Sequence, residues 1–260
     1  MRTRTRLAGT FWFGLSAAIC GATVWLGHSA PLPPLLWALL GTAWCAGIGL
    51  AVTAPLATAL AQELFGRRFR GAVPVLVALE VAAATPSIIV GMVGLSLFVI
   101  AAGFRLSLVS GGLTLALVNL PFAARSVYAL IESAPVGWME GALALGTTED
   151  AALRTLLLPA LRMDLTRLWI LLLQRSLAES AALALTVGVD VAGLPLSPWR
   201  SGATLAVGLW YNASQGRLGA LTWAYAGVSL VAAAVLGVLA AGPRVKGART
   251  FGDMNGRRPT

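Results

Sequence analysis

Charge is what this chain has least of. Asp, Glu, Lys and Arg make up 11% of its 260 residues, where a soluble domain carries roughly a quarter. Apolar residues make up 58%, and the mean hydropathy is +0.81. A soluble core of this size has no room for such a surplus, so a bilayer is the natural solvent. Inside hydrocarbon the backbone must bond to itself, which leaves helices or a closed barrel. Barrel strands read as alternating segments of about ten residues, whereas the apolar runs here are continuous and about twenty residues or longer. The expected fold class is therefore all-α, a polytopic membrane protein.

Other scarcities exclude whole functions. The two cysteines, Cys20 and Cys45, both fall inside apolar runs. They form no disulfide framework and no metal spacing, and read as small packing residues. The single histidine, His28, reads as a solvated surface residue in an outer loop. No Gly-rich phosphate loop with a following Lys is present, so any ATP chemistry belongs to another polypeptide. The formal net charge of +9 would point to nucleic acid in a soluble protein. Here the arginines sit at the ends of apolar runs, where they set topology, and a nucleic-acid partner is rejected.

Six spans are expected: about Leu7–Gly27, Leu35–Ala61, Ala72–Ala102, Leu106–Leu130, Arg167–Val187 and Leu218–Ala241. The first begins like a signal peptide, but its apolar part is too long and lacks a clean cleavage site, so it reads as a retained helix. Prolines in HSAPLPP end it. Pro86 and Gly91 predict a kink or local unwinding in the third span. With both termini in the cytoplasm, Arg2, Arg4, Arg6, Arg67, Arg68, Arg70, Arg125, Arg154, Arg162, Arg167, Arg244, Lys246, Arg249, Arg257 and Arg258 lie inside or at the inner surface. Arg105, Arg200 and Arg217 lie outside, and Arg175 lies within a span. The positive-inside rule selects this orientation. Trp25, Trp199, Trp210 and Trp223 fall near the outer interface, as an aromatic belt would. The segment Pro198 to Asn212 reads either as a short helix dipping against an outer gate or as a surface loop.

The long polar stretch from about 132 to 166 holds EGALALGTTEDAALRTLLLPAL. Gly146 permits a turn and Pro159 stops or opens a helix, dividing the stretch into two short helices. Ala142, Leu145, Leu153, Leu156 and Leu157 are placed on one apolar face. Such a face suits a protein partner or a lipid surface. The stretch resembles the EAA loop of ABC-importer permeases: E-A-A, three residues, G, nine residues, I, one residue, L-P. Glu140-Gly141-Ala142, Gly146, Leu156, Leu158 and Pro159 hold that spacing, with Gly141 for Ala and Leu156 for Ile. The resemblance implies coupling helices that dock into a groove of an ATPase subunit, a role carried to Glu140, Ala142, Gly146, Leu156 and Pro159.

The likeness extends from about Trp37 onward. EVAAATPSIIVG resembles a signature of phosphate-specific transport permeases, a Glu six residues before P-S-[IV]-[IV]-x-G, and places Glu80, Pro86, Ser87 and Gly91. LPFAARSVYALIESAP resembles that family's L-P-x-x-x-R run, with Arg125 in the Arg place. QRSLAESAAL resembles R-A-L-G-E-[ST]-[AM], with Arg175 and Glu179 matching and Ala178 replacing Gly. ATLAVGLWYNAS is only loosely like T-L-P-V-Q-I-Y-N-x-A. The resemblance implies the six-helix type I ABC-importer permease fold in one domain over residues 1–260. It also implies two ABC ATPase subunits that bind the ATP and magnesium, a second permease chain and an extracytoplasmic substrate-binding protein. The chain itself is expected to be no enzyme, to hold no cofactor or metal, and to sit in the plasma or inner membrane among lipid.

The ionisable groups agree with an anion path. Arg175 and Glu179, four apart on one expected helix, share a face and are expected to pair. Charges inside a span are costly and usually line a cavity, and a guanidinium fork suits phosphate oxygens. The expected pathway residues are Arg175, Glu179, Arg125, Glu80 and Ser87, the carboxylates holding the arginines. An interhelical salt bridge that only fixes packing is the competing reading. Permeases for molybdate, tungstate or sulfate share the EAA loop but lack the combined runs. An ion-coupled secondary transporter would use Glu80 and Glu179 as proton relays, and a non-transporting scaffold would have little need of buried charge.

Overall fold

In the computed structural model, residues 18–66, 72–190 and 193–241 are described. They form helices, mostly joined by short turns but with a longer non-helical connection before Leu205, and there is no strand among the described residues. Residues 18–26 are helical (α1). They are followed by α2 Leu32–Gly66, α3 Ala72–Ala84, α4 Ser87–Gly94 with a π-helical continuation Leu95–Ala101, and α5 Leu108–Glu132. Next come α6 Val136–Ala144, α7 Glu149–Ala152 with a π-helical turn Leu153–Leu157, α8 Leu158–Ala160 and α9 Arg162–Ala178. The chain continues through α10 Ala181–Thr186, α11 Leu205–Ser214 and α12 Ala220–Ala241.

Three helices are long and apolar enough to cross a membrane: Leu32–Phe65, Leu108–Glu132 and Ala220–Ala241. A fourth crossing arises if α3 and the run Ser87–Ala101 count as one broken span, bent by 95°. Three or four spans are thus found among the described residues, and the expected six are not confirmed. The start of the expected first span, both termini and Arg67, Arg68 and Arg70 lie outside them. The bend falls at Thr85–Pro86, where Pro lacks an N–H and drives the preceding residue out of the helical region. Gly91, the other expected kink, sits in unbroken helix. Its role is close approach: a Cβ there would lie 2.7 Å from the Ala182 Cα on α10.

The expected span Arg167–Val187 is also corrected. It contains neither Pro nor Gly, yet the helix stops at Ala178, Glu179 turns extended (φ −77°, ψ 115°), and α10 begins at Ala181. The Glu179 side chain bends back and accepts a hydrogen bond from the Ala182 N–H at 3.4 Å. This side-chain bond to a local backbone donor accompanies the end of the helix and the start of the next. Two half-helices, α4 and α10, therefore start at breaks and pack against one another.

The most extensive interhelical contact is α2 on α5. At one end of α5, Ala61, Val127 and Ile131 form a cluster with Leu153, Leu157, Leu161 and Leu168. Further along, Ala57, Ala123 and Ala124 pack on Leu172. At the other end, Cys45, Leu108 and Leu115 meet Leu183, Val187 and Val207. The Cys45 thiol donates to the Leu108 carbonyl at 3.5 Å. The first α5 amides do not go unbonded: Leu108 N–H donates to Arg200 O at 3.0 Å and Val109 N–H to Pro198 O at 2.9 Å. The segment beginning at Pro198 does contain a helix, α11, capped by Thr204 on the Val207 N–H at 3.3 Å.

Outward-facing Val235, Val238 and Leu239 on α12 suit acyl chains, since lipid imposes no cost on exposed apolar surface. Most buried hydroxyls have a hydrogen-bond partner; those of Tyr225 and Ser229 are buried without one among the described residues. Thr42 donates to Ala38 O at 2.7 Å and accepts from the Leu205 N–H at 2.9 Å, tying α2 to the start of α11. Thr42→Val keeps the volume but orphans that buried N–H. The expected loss is about 1–3 kcal/mol, read as a lowered Tm in detergent. Gly91→Ala is expected to cost a similar amount, about 1–3 kcal/mol, because backbone rather than a flexible side chain stands in its way.

Candidate functional site

The charged residues expected inside spans gather on one side of α5. Arg125 donates from Nε to Glu80 Oε1 at 2.9 Å, bridging α5 and α3. Its guanidinium also lies 5.9 Å from the Tyr128 ring centroid. One helical turn earlier, Phe122 supplies the ring over which Arg175 of α9 rests at 5.3 Å. Asn119, one turn further, donates to Ser176 Oγ at 2.9 Å, and Ser176 donates to Leu172 O. A single stripe on α5, Asn119–Phe122–Arg125, thus positions both arginines. Asn119, Phe122 and Ser176 carried no sequence signal of their own, because their partners lie more than forty residues away.

The expected Arg175–Glu179 pair does not form. The helix ends between them, so the four-residue spacing no longer places them on one face. Glu179 instead caps α10. Arg175 has no carboxylate partner among the described residues and keeps only the Phe122 ring. Ser87 opens α4, whose N-cap is Pro86 and which has no side-chain cap. The Ile89 N–H donates to Pro86 O at 3.0 Å, and the helix dipole favours negative charge at this helix start.

Depth decides what these charges face. Phe122 lies ten residues from the end of α5, about 15 Å along a helix of about 37 Å. Arg125 is 36% exposed and Glu80 58%. A charge turned to lipid at that depth costs about 2.5–3.5 kcal/mol on insertion scales. An exposed ion pair in water repays 0–1 kcal/mol. Two such groups plus Arg175 are consistent with a face bordering water or a second polypeptide.

The other expected site is the stretch after α5. Gly146 has φ +81°, a conformation glycine adopts freely, and it turns the chain between α6 and α7. Thr147 donates to Ala142 O at 2.6 Å, and Thr148 caps α7 on the Ala151 N–H at 3.3 Å. Pro159 lies inside α8, two residues before a break at Leu161. It cannot donate to the carbonyl four residues back, and the preceding turn widens so that the Leu158 N–H bonds Leu153 O. That widening changes the register. Leu153 and Leu157 are buried against α2 and α5, while Leu145 is 87% and Leu156 40% exposed. The single apolar face expected of Ala142, Leu145, Leu153, Leu156 and Leu157 is therefore split: one half anchors the stretch and the other is displayed. Glu140, with Glu132 and Glu149, rims a cavity of about 510 Å³ floored by Phe65, Tyr128 and Met139.

Among the described residues no group of His, Cys, Asp and Glu is arranged to hold a metal. No known family profile matches the chain. Over 152 residues it is 33% identical to the probable ABC transporter permease protein YqgI of Bacillus subtilis (strain 168), covering 54% of this chain and 52% of that protein. It is 30% identical over 178 residues to the phosphate transport system permease protein PstC of Haemophilus influenzae, covering 58% and 56%. A third relative is the phosphate transport system permease protein PstA 2 of Mycobacterium bovis, 30% identical over 111 residues, covering 43% and 37%. The chain spans about half the length of the first two curated relatives and less of the third. Its curated homologues are ABC transporter permeases, phosphate-transport permeases among them.

The turn at Gly146 makes a direct prediction. Gly146→Val places a β-branched residue at φ +81°, at a cost on the order of 1–3 kcal/mol. Nothing stands within 4 Å of that position, so the membrane helices are expected to keep their stability. Protease sensitivity is expected to rise only around residues 142–150; a global fall in Tm would contradict this.

Proposed function

We propose that the chain is the membrane-spanning permease subunit of an ATP-binding-cassette importer that moves an inorganic oxyanion inward, phosphate before others. Two ATPase subunits, holding the ATP and magnesium, engage the exposed part of the stretch around Glu140, Ala142, Gly146, Leu156 and Pro159. A second permease chain faces the charged side of α5 across a water-filled pathway, and an extracytoplasmic binding protein delivers the anion. Both termini and the coupling stretch are cytoplasmic, and the single domain rocks between outward and inward access.

The observation that carries this reading is Arg175. It lies about midway along α5, rests on an aromatic ring and has no carboxylate partner among the described residues, while its neighbour Arg125 is held by Glu80. One guanidinium is tethered and one is available, which suits passage better than tight capture. The names of PstC and PstA 2 among the homologues favour phosphate over sulfate, molybdate or tungstate.

The test is uptake of labelled phosphate into cells bearing the assembled complex, competed with sulfate and molybdate. Arg175→Gln removes a charge-assisted contact worth about 1.5–3 kcal/mol, so transport is expected to fall roughly 10- to 100-fold. Co-purification of the subunits and nucleotide-stimulated coupling are expected to persist. Lost assembly would support a packing role for Arg175, and phosphate uptake abolished by sulfate or molybdate would reassign the substrate.

A further inference from the structure

A second pair of arginines stands at the far end of α5 from the coupling stretch. The turn before α5 and the segment 193–201 enclose a polar pocket of about 470 Å³, whose lining includes Arg105, Asp190, Trp199, Arg200 and Ser201. Arg105 is the one described non-glycine residue with positive φ, at 58°. Such a backbone costs of order 1–3 kcal/mol and persists only where its surroundings hold it. They do: Ser110 Oγ donates to Arg105 O at 2.9 Å, and Ser110 and Ser107 are themselves bonded. The Arg200 carbonyl is fixed by the Leu108 N–H. Both arginines are thus fastened by their backbones to the same helix start.

Their side chains have no carboxylate partner among the described residues. Asp190 lies in the lining, but its Oδ2 accepts from Ser201 Oγ at 3.3 Å. Two arginines and one aspartate leave the lining with a formal charge of +1. Phe104 and Trp199 stack edge-to-face at 5.4 Å beside it, which stiffens the Arg200 side of the wall.

We infer that this pocket is an outer collecting site for a small hydrated inorganic oxyanion, separate from Arg125 and Arg175. The inference rests on the oxyanion-import reading above. Two guanidiniums with rigid backbones and no acceptors of their own present donors to a tetrahedral anion. A positive recess at the mouth of a pathway raises the local anion concentration.

The experiment uses the full chain in phosphatidylcholine nanodiscs, modified with the arginine reagent phenylglyoxal and read residue by residue by mass spectrometry. Reactions run with millimolar phosphate or with chloride at equal ionic strength. Phosphate is expected to slow modification of Arg105 and Arg200 together by several-fold and to leave exposed Arg217 unchanged. Arg105→Gly removes one guanidinium while suiting the positive φ, and protection of Arg200 is expected to fall to the level of Arg217. Protection confined to Arg125 and Arg175 would overturn the collecting site and leave the import reading standing. No protection at any of the four would contradict both. Protection of Arg105 and Arg200 that needs phosphatidylglycerol and ignores free phosphate would make the occupant a lipid headgroup and overturn the inference.

Discussion

The structure depends on the packing of α2 against α5. Between two apolar helices in lipid no hydrophobic gain drives association, so close van der Waals contact must. Small residues make it possible. A Cβ on Gly112 would stand 2.6 Å from the Ile48 Cβ, and one on Gly49 would stand 3.1 Å from the Leu115 Cβ. Further along the seam Ala57 meets Ala123 and Ala124, all fully buried. Helices α3, α4, α9 and α10 all pack against this pair.

That arrangement joins the two ends of the molecule. At one end Leu153 and Leu157 bury against Ala61, Val127 and Ile131, so the coupling stretch is anchored to the seam rather than tethered loosely. At the other end the first amides of α5 hold the carbonyls of Pro198 and Arg200, and Thr42 of α2 holds the Leu205 N–H. Between them the middle of α5 presents Asn119, Phe122 and Arg125 to α9 and α3. The packing of the stretch after α5 is continuous, through Val127, Ala123 and Leu172, with the region of α5 that holds Phe122 and Arg125. The breaks at Thr85–Pro86 and Glu179–Ser180 divide two helices into segments, and the second halves, α4 and α10, pack on α5 and on one another.

Much of this was legible in the residues. Apolar content gave the helical class, Pro86 gave the bend, and the run from Glu140 to Pro159 gave two short helices around Gly146. Other features depended on distant partners or local competition. The break after Ala178 has no Pro or Gly to mark it and coincides with Glu179 capping α10. The same event removed the expected Arg175–Glu179 pair, whereas Glu80 does hold an arginine as expected, Arg125, forty-five residues away. The split face of the stretch after α5 reflects the turn at Gly146, which separates Leu145 from Leu153 and Leu157, and the widened turn before Pro159, neither of which follows a regular 3.6-residue period. The outer pocket needed two segments brought together on the α5 start.

The central claim is that the charged side of α5 borders water rather than lipid. It is tested most directly by thiol accessibility in the assembled complex. With Cys20 and Cys45 replaced by Ala, a single cysteine at Phe122 is compared with one at Val238, which is 71% exposed on α12. A membrane-impermeant methanethiosulfonate reagent is expected to label position 122 rapidly and position 238 hardly at all. Equal protection at the two positions would place the arginines against acyl chains or within a sealed packing contact, and would contradict the account.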